Sequence, residues 1–192
     1  MIKVHIFTPL KYLRLKGKGL GLYQWQLPLI GTLILLGILI ITPNINIFGS
    51  NGFIKSINSL LAILVGFFIT SLAAIATIES DNLENKLEND GVKLKEKSLT
   101  RRIFLCYLFG YNSFLAIVLY IVGELAFIFN ENIKTLIPNY KYSLNIIELS
   151  IHSCLEIPFL IFYTFFLNSL LITTLFGLHY LSEKIHKISK IH

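Results

Sequence analysis

Four stretches of this chain carry no Asp, Glu, Lys or Arg, and each is long enough to cross a lipid bilayer once. They are residues 19–54, 56–78, 103–123 and 157–182. A hydrocarbon core about 30 Å thick is crossed by roughly 20 helical residues. The stretches are continuously apolar, whereas the strands of a membrane barrel alternate apolar and polar residues. The sequence therefore predicts an all-α, multi-pass membrane protein with four transmembrane helices.

The predicted segments follow one another without a separate soluble domain. In order they are a basic leader 1–26, a membrane domain 27–182 with helices at about 27–48, 56–78, 103–125 and 157–181, and a basic tail 183–192. Residues 79–102 connect helices two and three, and residues 126–156 connect helices three and four. The connection between helices one and two is short, which predicts that these two helices are antiparallel neighbours.

Lysine and arginine are distributed unevenly among these connections. Of the 17 such residues, most lie in the leader, in 79–102 and in the tail, and only Lys55, Lys134 and Lys141 lie elsewhere. The positive-inside rule then predicts that both termini and residues 79–102 are cytoplasmic. The net charge of +6 is explained by this basic side facing anionic inner-leaflet lipid, and direct nucleic-acid binding is not expected.

The connection between helices two and three, residues 79–102, is strongly polar, and we call it the insert. Its first half is acidic and its second half is basic, and a turn sequence at 89–91 separates them. We predict that helices two and three extend here into the cytoplasm as a helical hairpin. Such a projection is either a connector or a docking surface. The candidate partner-binding residues are Glu84, Glu88, Asp90, Lys93, Lys95, Lys97, Arg101 and Arg102.

Small and amide-bearing residues recur inside the apolar stretches at steps of three and four. This spacing lets membrane helices approach closely, and contact within one chain is favoured over contact between copies. The predicted helix-packing residues are Gly66, Thr70, Ala74, Gly110, Asn112 and Asn168. An amide in hydrocarbon needs hydrogen-bond partners, so Asn112 and Asn168 are expected to bond to protein, to trapped water or to each other. In the alternative interpretation they line a polar path through an oligomer.

Catalytic patterns are absent from the sequence. It contains no phosphate-binding loop, nucleophile motif or Cys/His cluster, so we assign no catalytic residue and no cofactor and expect no enzyme activity. Glu148, His152 and Glu156 recur at steps of four, which would place them on one face of a helix. That face is a weak candidate for a divalent cation site. The favoured alternative is the solvated side of an amphipathic helix, and no metal site is predicted.

Two stretches, LLAILVGFFITSLAAIATIESDNLENKL and LTRRIFLCYLFGYNSFLAIVLY, resemble small four-helix membrane proteins of bacterial anti-phage loci, such as the membrane subunit of the Kiwa defence system. The resemblance covers roughly residues 56–125 and rests on general pattern. It implies an oligomeric inner-membrane sensor of phage infection that acts with a separate, DNA-binding cytoplasmic effector. The predicted function is a sensor or scaffold subunit that signals to or recruits this effector. The alternative is a homo-oligomeric channel or pore.

Overall fold

The computed structural model describes residues 8–17, 19–42, 46–49, 52–79, 81–87, 93–94, 97–136, 141–144 and 147–186. Its helices are α1 Leu27–Ile41, α2 Phe53–Thr77, α3 Asp81–Glu84, α4 Arg101–Leu136 and α5 Ile151–His186. A 3-10 helix spans Thr8–Arg14, and a π-helical segment, Leu22–Gln26, runs into α1. Two short antiparallel hairpins pair β1 Lys93–Leu94 with β2 Lys97–Ser98, and β3 Lys141–Leu144 with β4 Ile147–Ser150.

Among the described residues, four helical regions are long and apolar enough to cross a membrane, which confirms a multi-pass, helical membrane protein. They are Leu22–Leu39, Phe53–Thr77, Arg101–Asn130 and Glu156–Ser182. The first helix is shorter than the predicted 27–48, because α1 ends at Ile41 and Thr42 leaves the helical conformation. Thr42 precedes Pro43, and a residue before proline is disfavoured in the helical region.

The long helices pack in the order α2, α4, α5, α1, and each lies mainly against the next. The first helix therefore packs on α5, in place of the predicted packing on α2. A close fit explains this choice, because a Cβ added at Gly31 of α1 would lie 2.8 Å from the Asn168 Oδ1 of α5. The outward faces of α1 and α2 are apolar and exposed, as in Leu33 at 63 % and Ile63 at 71 %.

The predicted small-residue stripe on α2 faces outward. Gly66, Thr70 and Ala74 are exposed, and a Cβ added at Gly66 would meet nothing within 4 Å. A Cβ added at Gly110 of α4 would likewise meet nothing within 4 Å. The close contact between α2 and α4 is instead at Gly123, where an added Cβ would overlap the Asn58 side chain. The stripe therefore does not make the favoured contact within one chain, and its contact with a second copy stays a prediction.

The insert does not form the predicted helical hairpin. Helix α2 ends at Thr77 and α4 begins at Arg101, and the described residues between them include the four-residue helix α3 and the β1–β2 hairpin. The apolar residues of the insert explain the difference. Leu83, Leu87 and Leu99 are buried in the main core, whereas two projecting arms would leave them in water. Glu88, Asp90 and Lys95 lie outside the described residues.

The Glu148, His152 and Glu156 spacing does not correspond to one helical face. Glu148 lies in β4 opposite Ser143, and α5 begins only at Ile151. The carboxylate of Glu156 accepts a hydrogen bond of 3.3 Å from Asn130 Nδ2 of α4. Within the described part of the chain, no group of three potential metal-binding side chains is present.

Candidate functional site: the cap

One end of the helix row is covered by a structure that we call the cap, made of residues 8–17 of the leader and the described residues of 79–100. Two backbone hydrogen bonds join its halves: Lys16 N donates to Lys93 O at 3.1 Å, and Lys93 N donates to Lys16 O at 2.8 Å. Within the insert, Leu87 N donates to Leu99 O at 2.9 Å. Leader and insert therefore fold together, although α1 and α2 separate them in sequence.

Tyr12 anchors the leader against the membrane helices. Its side chain is 0 % exposed, and its ring stacks on Tyr111 of α4 with centroids 5.1 Å apart. Because a helix rises about 1.5 Å per residue, Tyr111 lies roughly 15 Å along α4 from Arg101. The hydroxyl of Tyr111 lies 3.3 Å from Ser169 Oγ of α5. The leader thus packs against the side of α4, and this contact lies roughly 15 Å from the end of that helix.

The π-helical segment before α1 also holds the leader. Gln24 is buried, and its Nε2 donates to Tyr12 O at 3.0 Å, while Leu15 N donates to the same oxygen at 3.1 Å. A buried amide is costly without such a partner, which accounts for the inward orientation of Gln24. Burial, with a smaller contribution from Tyr111, raises the pKa of Tyr12. Tyr12 is therefore neutral at physiological pH.

Arg102 connects α4 to the end of α2 and to the insert. Its guanidinium donates to the carbonyl oxygens of Ala76 at 3.1 Å and Ile78 at 2.7 Å, and its Nε lies 2.7 Å from Glu84 Oε1. The last carbonyls of a helix lack intrahelical donors and carry partial negative charge, so a cation there is favourable. Arg102 and Glu84, both predicted to bind a partner, are engaged with each other inside the chain.

We predict that Arg102→Gln lowers the free energy of unfolding by about 2 kcal/mol, since hydrogen bonds to charged groups contribute about 1.5–3 kcal/mol. Arg101→Gln is the matched control, because the Arg101 side chain makes no hydrogen bond or ion pair with another described residue. Thermal unfolding in detergent measures both. Equal losses in the two variants would contradict the capping role of Arg102.

Basic side chains outnumber acidic ones on the outward surface of the cap, where Glu79 and Glu84 are also exposed. Lys11, Arg14, Lys16, Lys86 and Lys93 are exposed, and none of them forms an ion pair with another described residue. Lys16 and Lys93 are opposite each other in an antiparallel bridge, so their side chains leave the same face. This surface is suited to an anionic partner.

For two other predicted partner-binding residues, the structure gives the position of the backbone. Lys97 lies in β2, where it pairs with Leu94. Arg101 begins α4, and its N–H donates to Asn85 O at 3.1 Å. Both residues therefore belong to the folded insert.

The two predicted membrane amides make separate contacts. Asn112 is 0 % exposed and is bonded at both ends of its amide by α5: its Nδ2 donates to Thr174 Oγ1 at 3.3 Å, and its Oδ1 accepts from Thr173 Oγ1 at 2.6 Å. Asn168 Nδ2 donates to Thr164 O of its own helix at 2.9 Å. Both amides therefore bond to protein, and the alternative in which Asn112 and Asn168 bond to each other is not found within the chain.

We predict that Asn112→Leu costs about 1 kcal/mol of stability, the usual scale of an interhelical hydrogen bond in a membrane. The cost stays small because Thr173 and Thr174 also donate to carbonyls of their own helix. The exposed Asn85 gives a control, and Asn85→Ala should change stability by less than about 0.5 kcal/mol. A loss for Asn112→Leu no larger than that of the control would contradict the contact.

Asn58 of α2 is the central polar residue that the sequence analysis missed. It is 2 % exposed; its Nδ2 donates to Glu124 Oε1 at 3.1 Å, and its Oδ1 accepts from Tyr163 Oη at 3.1 Å. Lys55 Nζ lies 3.5 Å from the same Glu124 oxygen. This network joins α2, α4 and α5 at the end opposite the cap. The signal available in the sequence was the pair Lys55 and Asn58, three residues apart at the start of α2.

No protein-family model, curated protein or solved structure matches this chain.

Proposed function

We propose that this chain is a membrane-embedded sensor or scaffold subunit that recruits a cytoplasmic effector through its cap. The observation that carries this proposal is the attachment of the cap to two membrane helices at once. Glu84 of the insert pairs with Arg102, whose guanidinium also bonds to the end of α2, and Tyr12 stacks on Tyr111 within α4. A change in the packing of α2 against α4 therefore alters the surface that the cap presents.

The setting that we propose is the bacterial inner membrane and an anti-phage defence system. It is supported by the resemblance of residues 56–125 to membrane proteins of anti-phage loci and by the positive-inside distribution of charge. In this setting the cap faces the cytoplasm. The basic residues on it are expected to meet an acidic surface of the effector, because complementary charge increases association rates and selects partners.

The test reverses charge in the insert without touching the bridge between leader and insert. Lys95→Glu combined with Lys97→Glu should abolish co-purification of a soluble partner from native membranes, identified by mass spectrometry. The matched control is Lys134→Glu combined with Lys141→Glu, on the predicted opposite side. The control should retain the partner and insert normally. Unchanged co-purification with the first variant would contradict effector recruitment by the insert.

The channel alternative receives less support from the same contacts. Both ends of the Asn112 amide are bonded within one chain, so in this packing the amide does not face a path between copies. Asn168 is partly exposed and is the better candidate for such a path. Ion flux in reconstituted liposomes that disappears on Asn168→Leu would favour the channel over the scaffold.

A further inference from the structure

We propose that Lys16 and Lys93 together bind the phosphate group of an anionic membrane lipid, and that this lipid fastens the leader to the insert. The inference concerns the protein without any effector, so it does not depend on the proposed function. It rests on the geometry of the bridge, on the exposure of both side chains and on the position of the pair beside the membrane spans.

The bridge holds two like charges together. Lys16 and Lys93 exchange both backbone hydrogen bonds, and directly opposite residues of this kind have Cβ atoms about 4.5–5.5 Å apart. Like charges in that arrangement destabilise the pairing. Both side chains are exposed, and the ion pairs among the described residues lie elsewhere, at Lys55–Glu124 and Arg102–Glu84. An anion placed between the two ammonium groups would convert this repulsion into attraction.

The position of the pair favours a lipid headgroup as that anion. Lys16 lies shortly before the span Leu22–Leu39, and Trp25 near the start of that span is 56 % exposed. Exposed tryptophan at the end of a span is typical of the interface where headgroups lie. The exposed Lys11 and Arg14 of the same leader add to the basic surface, and such clusters attract anionic lipids.

A bound lipid would stabilise the docked leader. Among the described residues, the backbone hydrogen bonds between leader and insert are the two bonds of this bridge. A ligand that binds across the bridge binds the docked arrangement and not the undocked one, so it shifts the equilibrium toward docking. Anionic lipid is then a structural ligand of the cap.

Thermal unfolding of the purified protein in neutral detergent tests the proposal, with the fluorescence of the single tryptophan, Trp25, as the signal. Phosphatidylglycerol should raise the unfolding temperature by about 2 to 4 °C, and phosphatidylcholine should not. A comparable rise with inorganic phosphate would overturn the assignment to a lipid. A rise with poly-glutamate but not with phosphatidylglycerol would assign the pair to an acidic protein instead.

Charge-neutral variants distinguish lipid binding by Lys16 and Lys93 from attraction of lipid by the basic surface as a whole. Lys16→Gln and Lys93→Gln should each raise the unfolding temperature without lipid, because repulsion is relieved, and each should lose most of the phosphatidylglycerol shift. The double variant should lose no more of the shift than either single variant, because both side chains serve one site. Lys11→Gln, the control for the general basic surface, should keep most of the shift. Equal reduction by Lys11→Gln and Lys93→Gln would overturn the proposal.

Discussion

Tyr12→Ala is expected to lower the free energy of unfolding by about 3 kcal/mol, the lower end of the cost of removing a large buried aromatic side chain. Tyr12 is 0 % exposed and stacked on Tyr111, so its loss leaves a cavity between the leader and α4. The hydrogen bond from Gln24 Nε2 to the backbone oxygen of residue 12 would remain and would still hold the turn of the leader. The variant should also show faster tryptic cleavage at Lys11 and Arg14. Chemical unfolding in detergent and timed proteolysis measure the two effects.

Tyr12→Phe is the control for this prediction. The Tyr12 hydroxyl is buried and has no hydrogen-bond partner among the described residues, so its removal should leave stability unchanged or increased. A neutral result for Tyr12→Ala would mean that the leader is not docked on α4. Equal losses for both variants would mean that the hydroxyl, and not the ring, holds the leader.

Gly123→Ala is expected to cost more than about 2 kcal/mol, although alanine is the better helix former. An added Cβ would overlap Asn58 Oδ1 and lie 2.8 Å from Asn58 Nδ2. Asn58 is held by Tyr163 and Glu124, so it can move only by losing those hydrogen bonds. The two most extensively packed helices, α2 and α4, should then separate at the end opposite the cap.

Gly110→Ala on the same helix is the matched control. An added Cβ there would meet nothing within 4 Å, so the substitution should be neutral or stabilise by up to about 1 kcal/mol through helix propensity. Thermal unfolding compares the two variants directly. A similar response at Gly110 and Gly123 would contradict the packing of α2 on α4.

The membrane spans could be predicted from the sequence because their signal is local. A charged residue within a span is costly, so an uncharged stretch marks a span wherever it occurs. The ends of the helices were harder to predict than their existence. Helix α1 stops at Ile41, before the predicted limit, because Thr42 precedes Pro43. The order of the helices could not be predicted, because the lipid-facing and protein-facing sides of α1 are similarly apolar.

The fold of the insert depends on residues far away in the sequence. Its charge pattern suits two helical arms, but Leu83, Leu87 and Leu99 join a core that also contains Tyr12 and Leu15 of the leader. The bridge from Lys16 to Lys93 has no local signal at all. The glycines show the same limitation. Gly66, Gly110 and Gly123 all lie in apolar stretches of the sequence, and only the orientation of each helix shows which glycine contacts a neighbouring helix.

The central claim is that leader and insert form one cap, and a cross-link between Lys16→Cys and Lys93→Cys in native membranes tests it most directly. Cα atoms of such a hydrogen-bonded antiparallel pair lie about 5.5 Å apart, within the range that a disulfide spans. Cys106 and Cys154 are replaced by serine, and Lys11→Cys with Lys93→Cys serves as the control. We expect an intramolecular disulfide in the first protein, identified by mass spectrometry, and little in the control. Absence of that disulfide, or equal cross-linking in the control, would contradict the cap.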